Sequence, residues 1–315
     1  MNDPENMSYR MLRKKCFKLF PKGEKPRNCS GKRRELLERF LEFSDQRSAI
    51  VAVSYNLSFA SQLNVAMGSE KDFVEQCQRA KRLCYFAALD KIQRIGEEFG
   101  LDVLGIQEVE DAQMVDRIAS RIPALDSYYR AGVWNRNVNK YVGAMLMWNS
   151  KKLGRRQSAT TVNLDPEDGR TCGIVTTDKG ITLIVAHFPW MQTRREKQII
   201  QYLITPHVIR NENIIMLADT NDAKTLISAD DPLLIAGRPL SQNLTREQVK
   251  KRLKTCCWHE QGHQYESYSD TGDYVLAENV LSIQMPYDLP SNTPGESALF
   301  SDHSPVVARV ALLPS

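Results

Sequence analysis

The chain has 315 residues, 42 Lys and Arg against 38 Asp and Glu, a net charge of +4 and 42% apolar residues. That length allows two small domains or one large core, and a core of this size buries roughly three quarters of the unfolded surface without covalent staples. No run of ~18 apolar residues is present to span a membrane, and no apolar stretch precedes a small-residue cleavage site near the N-terminus. Seven cysteines, an odd number without a C-x-x-C pair, read as thiols in a reducing compartment. An intracellular protein, cytoplasmic or nuclear, without a classical secretory signal is expected.

The charge is unevenly spread. Between Arg10 and Arg34 lie eleven basic residues and one acid, Glu24, a net +10, so the remainder of the +4 chain carries −6. Such asymmetry points to a polyanionic partner. Residues 1–46 read as a basic N-terminal extension, broken by Pro21, Gly23, Pro26 and Gly31. Leu36, Leu37, Phe40 and Leu41 recur at helical spacing and predict one amphipathic helix over 32–43.

The body, 47–315, opens with the β-branched run Ala49–Ser54, read as a buried strand. Phe73 to Phe99 has helical period and stops at Gly100. Leu101–Ile106 is the next strand, and Gln113–Ile122 a helix ended by Pro123. Strands are predicted at Gly143–Trp148, Ile181–Ala186, Ile214–Leu217, Tyr274–Val280 and Val306–Leu312, with a helix at Arg194–Ile209. Strands interleaved with helices indicate an α/β architecture, and the short links also permit antiparallel hairpins.

Polar residues stand where the apolar runs stop: Asn56, Glu108, His187, Asp219 and Asn221 follow strands, and Asp273 and Asp302-His303 precede them. Strand ends on one rim of stacked sheets can converge on a single pocket. Carboxylate and amide oxygens suit a hard divalent cation such as Mg²⁺, and two histidines beside spare carboxylates can move protons. Singly, an Asp or Asn after a strand reads as a turn former or helix cap, Glu108 as a solvated side chain and His187 as a hydrogen-bonded structural histidine; the ordered set carries the signal.

The set resembles the endonuclease/exonuclease/phosphatase (DNase I-like) superfamily. The matching segments are Ser54-Tyr55-Asn56-Leu57, Ile106-Gln107-Glu108-Val109, Val185-Ala186-His187-Phe188, Ala218-Asp219-Thr220-Asn221, Asp273-Tyr274-Val275-Leu276 and Ser301-Asp302-His303-Ser304-Pro305-Val306. They occur in the order found in that family and span about Ile50 to Leu313. The resemblance implies a four-layer α/β sandwich of two packed mixed β-sheets flanked by helices, cleaving phosphate esters with Mg²⁺, or Mn²⁺ in its place. It implies Glu108 as the main metal ligand, with Asn56 and Asp302 beside it. Asp219 would orient or deprotonate the attacking water, helped by the amide of Asn221. His303, paired with Asp273, would stabilise charge on the phosphoryl oxygens, and His187 would donate a hydrogen bond or proton. Three positions depart from the family pattern: Ala218 replaces a usual Gly, Val185-Ala186 an Asn-Thr, and Thr271 an Arg. None of them removes a residue with an implied chemical role.

A competing motif, His259-Glu260-Gln261-Gly262-His263, matches the zinc-peptidase pattern H-E-x-x-H. Gly262 costs about 1 kcal/mol inside a helix, and the flanking residues read no better as helix than as strand. Cys256, Cys257, His259 and His263 leave a structural metal open. For the substrate, Ser127 to Lys140 reads as an aromatic-basic loop in which Arg130, Trp134, Asn135, Arg136 and Asn137 suit base stacking and phosphate contacts. A nuclease or phosphodiesterase acting on DNA or RNA is the leading expectation. A phosphatase for inositol lipids or small phosphorylated molecules, with the basic arm on an anionic membrane surface, is the alternative. A nucleic-acid-binding relative without turnover is a third. If the arm supplies phosphate contacts, deleting residues 1–46 is expected to weaken polyanion binding and flatten its salt dependence, measured by titration at several salt concentrations.

Overall fold

In the computed structural model the residues described are 49–57, 75, 84–109, 113–135, 140–165, 170–189, 199–208, 213–221, 226–252, 255, 271–285 and 303–312. The predicted 32–43 helix, the 46/47 boundary and the H-E-x-x-H segment with Cys256 and Cys257 lie outside them.

The first strand shows how the fold is built. β1 (Ile50–Asn56) is buried along its whole length, because successive side chains point to opposite faces and both faces are covered. Val51, Val53 and Tyr55 pack with Leu89, Ile92 and Ile95 of helix α1 (Cys84–Phe99). Ile50 and Ala52 point the other way, into a core shared with Leu183, Val185, Ile215 and Leu217 of a second sheet. β2 (Val103–Val109) runs parallel to β1 after the α1 crossover, and α2 (Met114–Arg121) adds to the same outer layer.

The first sheet continues with β3 (Ser127–Asn135) and β4 (Lys140–Trp148), and a single helical turn α3 (Ser150–Leu153) follows. The second sheet comprises β5 (Arg156–Asp165), β6 (Arg170–Thr177), β7 (Ile181–His187) and β8 (Asn213–Asp219). A small hairpin, β9 (Leu233–Ile235) and β10 (Arg238–Leu240), precedes helix α4 (Arg246–Arg252). β11 (Asp273–Ala277) completes the second sheet, while β12 (Val280–Gln284) and β13 (Val306–Val310) complete the first. The orders are β12-β13-β1-β2-β4-β3 and β11-β8-β7-β6-β5. Each mixed sheet has one parallel pair among the described strands, β1–β2 and β7–β8, and antiparallel neighbours elsewhere.

Ile184, Ala186, Met216, Tyr274 and Leu276 on the outer face of the second sheet pack under Ile200 and Ile204. The result is helices, sheet, sheet, helical segment: the expected four-layer sandwich of two packed mixed sheets.

Some elements differ from expectation. The predicted strand Tyr274–Val280 is two strands, β11 and β12, which belong to different sheets. Within the predicted helix at Arg194–Ile209, the described part is a π-turn, Ile200–Ile204, tightening into a 3₁₀ turn, Thr205–His207. Pro206 lacks the N–H that would continue an α-helix.

The sheets approach closely at Gly105. A Cβ there would lie 2.5 Å from the Leu217 Cβ of the facing sheet, and the Gln107 amide donates across the same gap to the Leu217 carbonyl at 3.3 Å. Gly105→Ala is therefore expected to lower stability by about 1–3 kcal/mol through overpacking, seen as a lower urea midpoint with unchanged slope.

Candidate active site

Strand parity determines which side chains meet. On β1 the inward set Ile50, Ala52 continues through Ser54 to Asn56; on β8, Ile215 and Leu217 lead to Asp219. On β7, Leu183 and Val185 lead to His187, and on β11 Val275 is preceded by Asp273. His187 and Asp273 are both register partners of Asp219, so the three form a row across the second sheet. β11 and β13 run antiparallel to β8 and β1. Residues that start the former strands therefore share an end with residues that finish the latter.

Glu108 breaks the alternation. The β2–β4 register shifts between Ile106 and Val109, and Glu108 adopts φ +60, a left-handed conformation that costs energy for a side chain with a Cβ. The bulge turns its carboxylate into the rim.

There the two sheets join. Asn56 Nδ2 donates to Asp219 Oδ2 at 2.7 Å and to Glu108 Oε1 at 3.3 Å. Asp219 Oδ1 accepts from the Asn221 N–H at 2.9 Å. His303 Nδ1 pairs with Asp273 Oδ2 at 2.8 Å and lies 3.9 Å from Asp219 Oδ2. His187 Nε2 stands 3.6 Å from both Glu108 Oε1 and Asp219 Oδ2. The Asn221 side-chain amide is directed elsewhere: it donates to the Phe188 carbonyl at 2.8 Å, with the residue at φ +50. It braces the end of β7 against the turn after β8.

These neighbours set the protonation states. Burial alone would raise the Asp219 carboxyl, but His303, His187 and the hydrogen bonds from Asn56 and Asn221 hold it below the usual range. Burial pushes Asp273 up to about 6 against the pull of His303. Burial, then the adjacent Arg170, pushes His187 down to about 4, so its imidazole is neutral at pH 7. The rim thus holds an anchored carboxylate able to accept a proton and a neutral imidazole able to donate a hydrogen bond.

Arg170 was not among the expected residues. It begins β6, and its Nη1 lies 2.7 Å from His187 Nδ1, also touches His187 Nε2, and lies 3.5 Å from Glu108 Oε1. The available signal was a charged residue opening an apolar strand after a stretch with Pro166 and Gly169, the same pattern as at Asp273 after Gly272. Gln107 is a second missed residue; fully buried, it also donates to Ser54 Oγ at 3.2 Å. Among the expected residues, Asn56, Glu108, His187, Asp219, Asp273 and His303 converge, while Asp302 lies outside the described residues.

The expected aromatic-basic loop is a strand over most of its length. Arg130 sits mid-β3, paired in register with Met145, and Trp134 and Asn135 are the last two residues of β3. Because Val109 is in register with Gly143, and Gly143 with Gly132, those two lie at the rim end of the first sheet. Arg136 and Asn137 lie outside the described residues. Alternation between faces and pairing along all of β4 account for the strand.

The donor chemistry fits a metal ion. Donor atoms of Asp219, Asp273 and His303 all lie within 4.8 Å of one another, and Asp273 Oδ1 is buried without a hydrogen-bond partner. Glu108 and Asn56 add oxygen donors next to them, a set suited to a hard divalent cation.

No protein-family profile matches the sequence, and no curated protein matches it. Solved structures do match. An endonuclease/exonuclease/phosphatase family protein from Bacteroides thetaiotaomicron superposes with a TM-score of 0.56 at 15% identity, covering 85% of this chain and 98% of that one. A mannosyl-6-phosphatase from the same organism gives 0.56 at 15% identity, with coverage of 84% and 100%. A humanized TDP2 from D. rerio gives 0.51 at 15% identity, with coverage of 83% and 98%. The chain has the endonuclease/exonuclease/phosphatase, DNase I-like fold.

Since His303 is the main group drawing the Asp273 carboxyl down, His303→Ala is expected to lift it above about 6. A ¹³C NMR titration of aspartate-labelled, metal-free protein checks this. A carboxyl that titrates unchanged would mean the pair does not form in solution.

Proposed function

We propose that the protein is a metal-dependent phosphoesterase, and more narrowly a nuclease or phosphodiesterase that hydrolyses DNA or RNA. The observation that carries this reading is the meeting of Asn56, Glu108, His187, Asp219, Asp273 and His303, from both sheets, at one rim.

Asp219 is the acceptor for the proton of the attacking water. Both its oxygens are held, one by Asn56 and one by the Asn221 N–H, so its lone pairs have one orientation. His303, held by Asp273, and Arg170 face the position where charge grows on the phosphoryl oxygens. The buried Arg170 Nε has no hydrogen-bond partner and is an unspent donor for such an oxygen. His187 presents a neutral imidazole to the same region. Glu108 and Asn56, with Asp302, would hold Mg²⁺, or Mn²⁺ in its place; when bound, the ion supplies charge neutralisation and Lewis acidity at the phosphate. Asn221 acts on Asp219 through its backbone N–H rather than its side-chain amide.

For a nucleic-acid substrate, the support is the basic segment at Arg10–Arg34, together with Arg130, Trp134, Asn135, Arg136 and Asn137 in and after β3. A solved neighbour of the same fold, D. rerio TDP2, is complexed with a single-strand DNA product, at a TM-score of 0.50 and 14% identity. A second reading, a phosphatase for small phosphorylated molecules, draws on the superposition of the mannosyl-6-phosphatase, at a TM-score of 0.56. The same basic segment would then contact an anionic membrane surface or a different polyanion.

The test is a panel of labelled single- and double-stranded DNA, RNA, inositol phosphates and sugar phosphates with Mg²⁺ or EDTA. Wild type is expected to cleave a polymer only with metal, and Asp219→Ala and Glu108→Ala to lose about 10²–10⁴-fold in rate. Phosphate release from the small esters with intact polymers would establish the second reading. Salt-dependent polymer binding without turnover of any ester would mark a relative that acts by contact alone.

A further inference from the structure

Thr255 is fully buried beside the site. Its hydroxyl oxygen accepts hydrogen bonds from the N–H groups of Gly272 at 3.1 Å and Asp273 at 3.0 Å. Its carbonyl accepts from the Ser304 N–H at 2.7 Å. One residue thus grips both segments that carry the pair, Gly272–Asp273 at the start of β11 and Ser304 next to His303. Among the described residues no strand lies beyond β11 at its Asp273 end; the Ala277 N–H on its outer side is taken by the Ser241 carbonyl, and the buried N–H of Asp273 needs an acceptor of its own. The Thr255 hydroxyl is that acceptor.

The grip extends to Asp219. The Gly272 carbonyl receives the N–H of Thr220 at 2.8 Å and its hydroxyl at 3.2 Å. A Cβ on Gly272 would lie 3.2 Å from Asp219 Oδ1, so the spacing there has little slack. A shift of the 272–273 backbone therefore moves Asp273, and with it His303, relative to Asp219.

We propose that Thr255 is a positioning residue for the His303–Asp273 pair, setting its alignment on Asp219 through hydrogen bonds to both segments that carry the pair. The proposal rests on the phosphoesterase reading of the same site. Thr255 acts through Asp273 and His303, which bear the chemistry. The hydroxyl is the required group, because valine has the same shape without an acceptor and serine keeps the acceptor without the methyl group.

The test uses the full chain with ¹⁵N-labelled histidine. Only five histidines are present, and His303→Gln assigns the His303 signal. In wild type and Thr255→Ser, the His303 Nδ1–H resonance of the buried hydrogen bond is expected. In Thr255→Val it is lost or moved while the other four histidine signals stay in place. With bis(4-nitrophenyl) phosphate and Mg²⁺, kcat is expected to fall about tenfold or more in Thr255→Val with KM within about twofold, and to return in Thr255→Ser. Thr255→Val with wild-type kcat and an unmoved His303 signal overturns the proposal. So does a Thr255→Val variant that shifts all five histidine signals with Thr255→Ser failing to restore them, since Thr255 would then serve only the scaffold. If Thr255→Val does not fold, Thr255→Cys, a weaker acceptor, is read the same way. If wild type hydrolyses no ester, the phosphoesterase reading fails, and the His303 signal alone still decides the role of Thr255.

Discussion

The hydrogen bond from Asn56 Nδ2 to Asp219 Oδ2, 2.7 Å long, crosses from one sheet to the other, and it forms only because the sheets approach so closely. Gly105 permits that approach by leaving no Cβ to meet Leu217, and Gln107 spans the remaining gap to the Leu217 carbonyl. Below the rim the facing side chains are apolar; at the rim the same inward parity delivers Asn56, His187, Asp219 and Asp273. The site is the place where a two-sheet core runs out of apolar residues. Its side chains are held by strand ends whose backbones are paired, and at the start of β11 the Thr255 hydroxyl accepts the outward N–H of Asp273.

Burying several ionisable groups together is costly unless each finds a partner. Every described carboxylate at this rim has one: Asn56 and the Asn221 N–H for Asp219, His303 for Asp273, Arg170 and Asn56 for Glu108. Environment then separates the groups. Asp219 is held ionised, Asp273 is raised to about 6, and His187 is lowered to about 4. Divergent environments for neighbouring titratable groups are a physical basis for dividing proton acceptance from hydrogen-bond donation. The left-handed backbone at Glu108 and Asn221 is strain held in place by the packing around it, as is common where a site needs a side chain against its strand's alternation.

Much of the architecture could be read from pattern. β1, β2, β7 and β8 are buried on both faces, so they stand out as short apolar runs, and the polar residue ending each run marks the rim. Strands with one wet face were harder. β5 buries few of its residues and is rich in Thr and polar side chains. β3 mixes Tyr, Arg and Trp with polar residues, a composition that suits a binding loop as well as an edge strand. The split between β11 and β12 was hidden because Glu278 and Asn279 interrupt an apolar run without a Gly or Pro to mark the turn.

The sequence alone determined which residue types stand at the strand ends and in what order, because burial on both faces leaves an unmistakable apolar run with a polar terminus. Tertiary structure decided the rest of the site. Arg170 sits beside His187 and Glu108 because β6 pairs with β7. Glu108 faces inward because of a bulge, and the Asn221 side chain turns to Phe188 because of a left-handed φ. Thr255 reaches Asp273 across 18 residues of chain. Register, bulges and edge contacts depend on which strands become neighbours, and no local stretch of sequence specifies them.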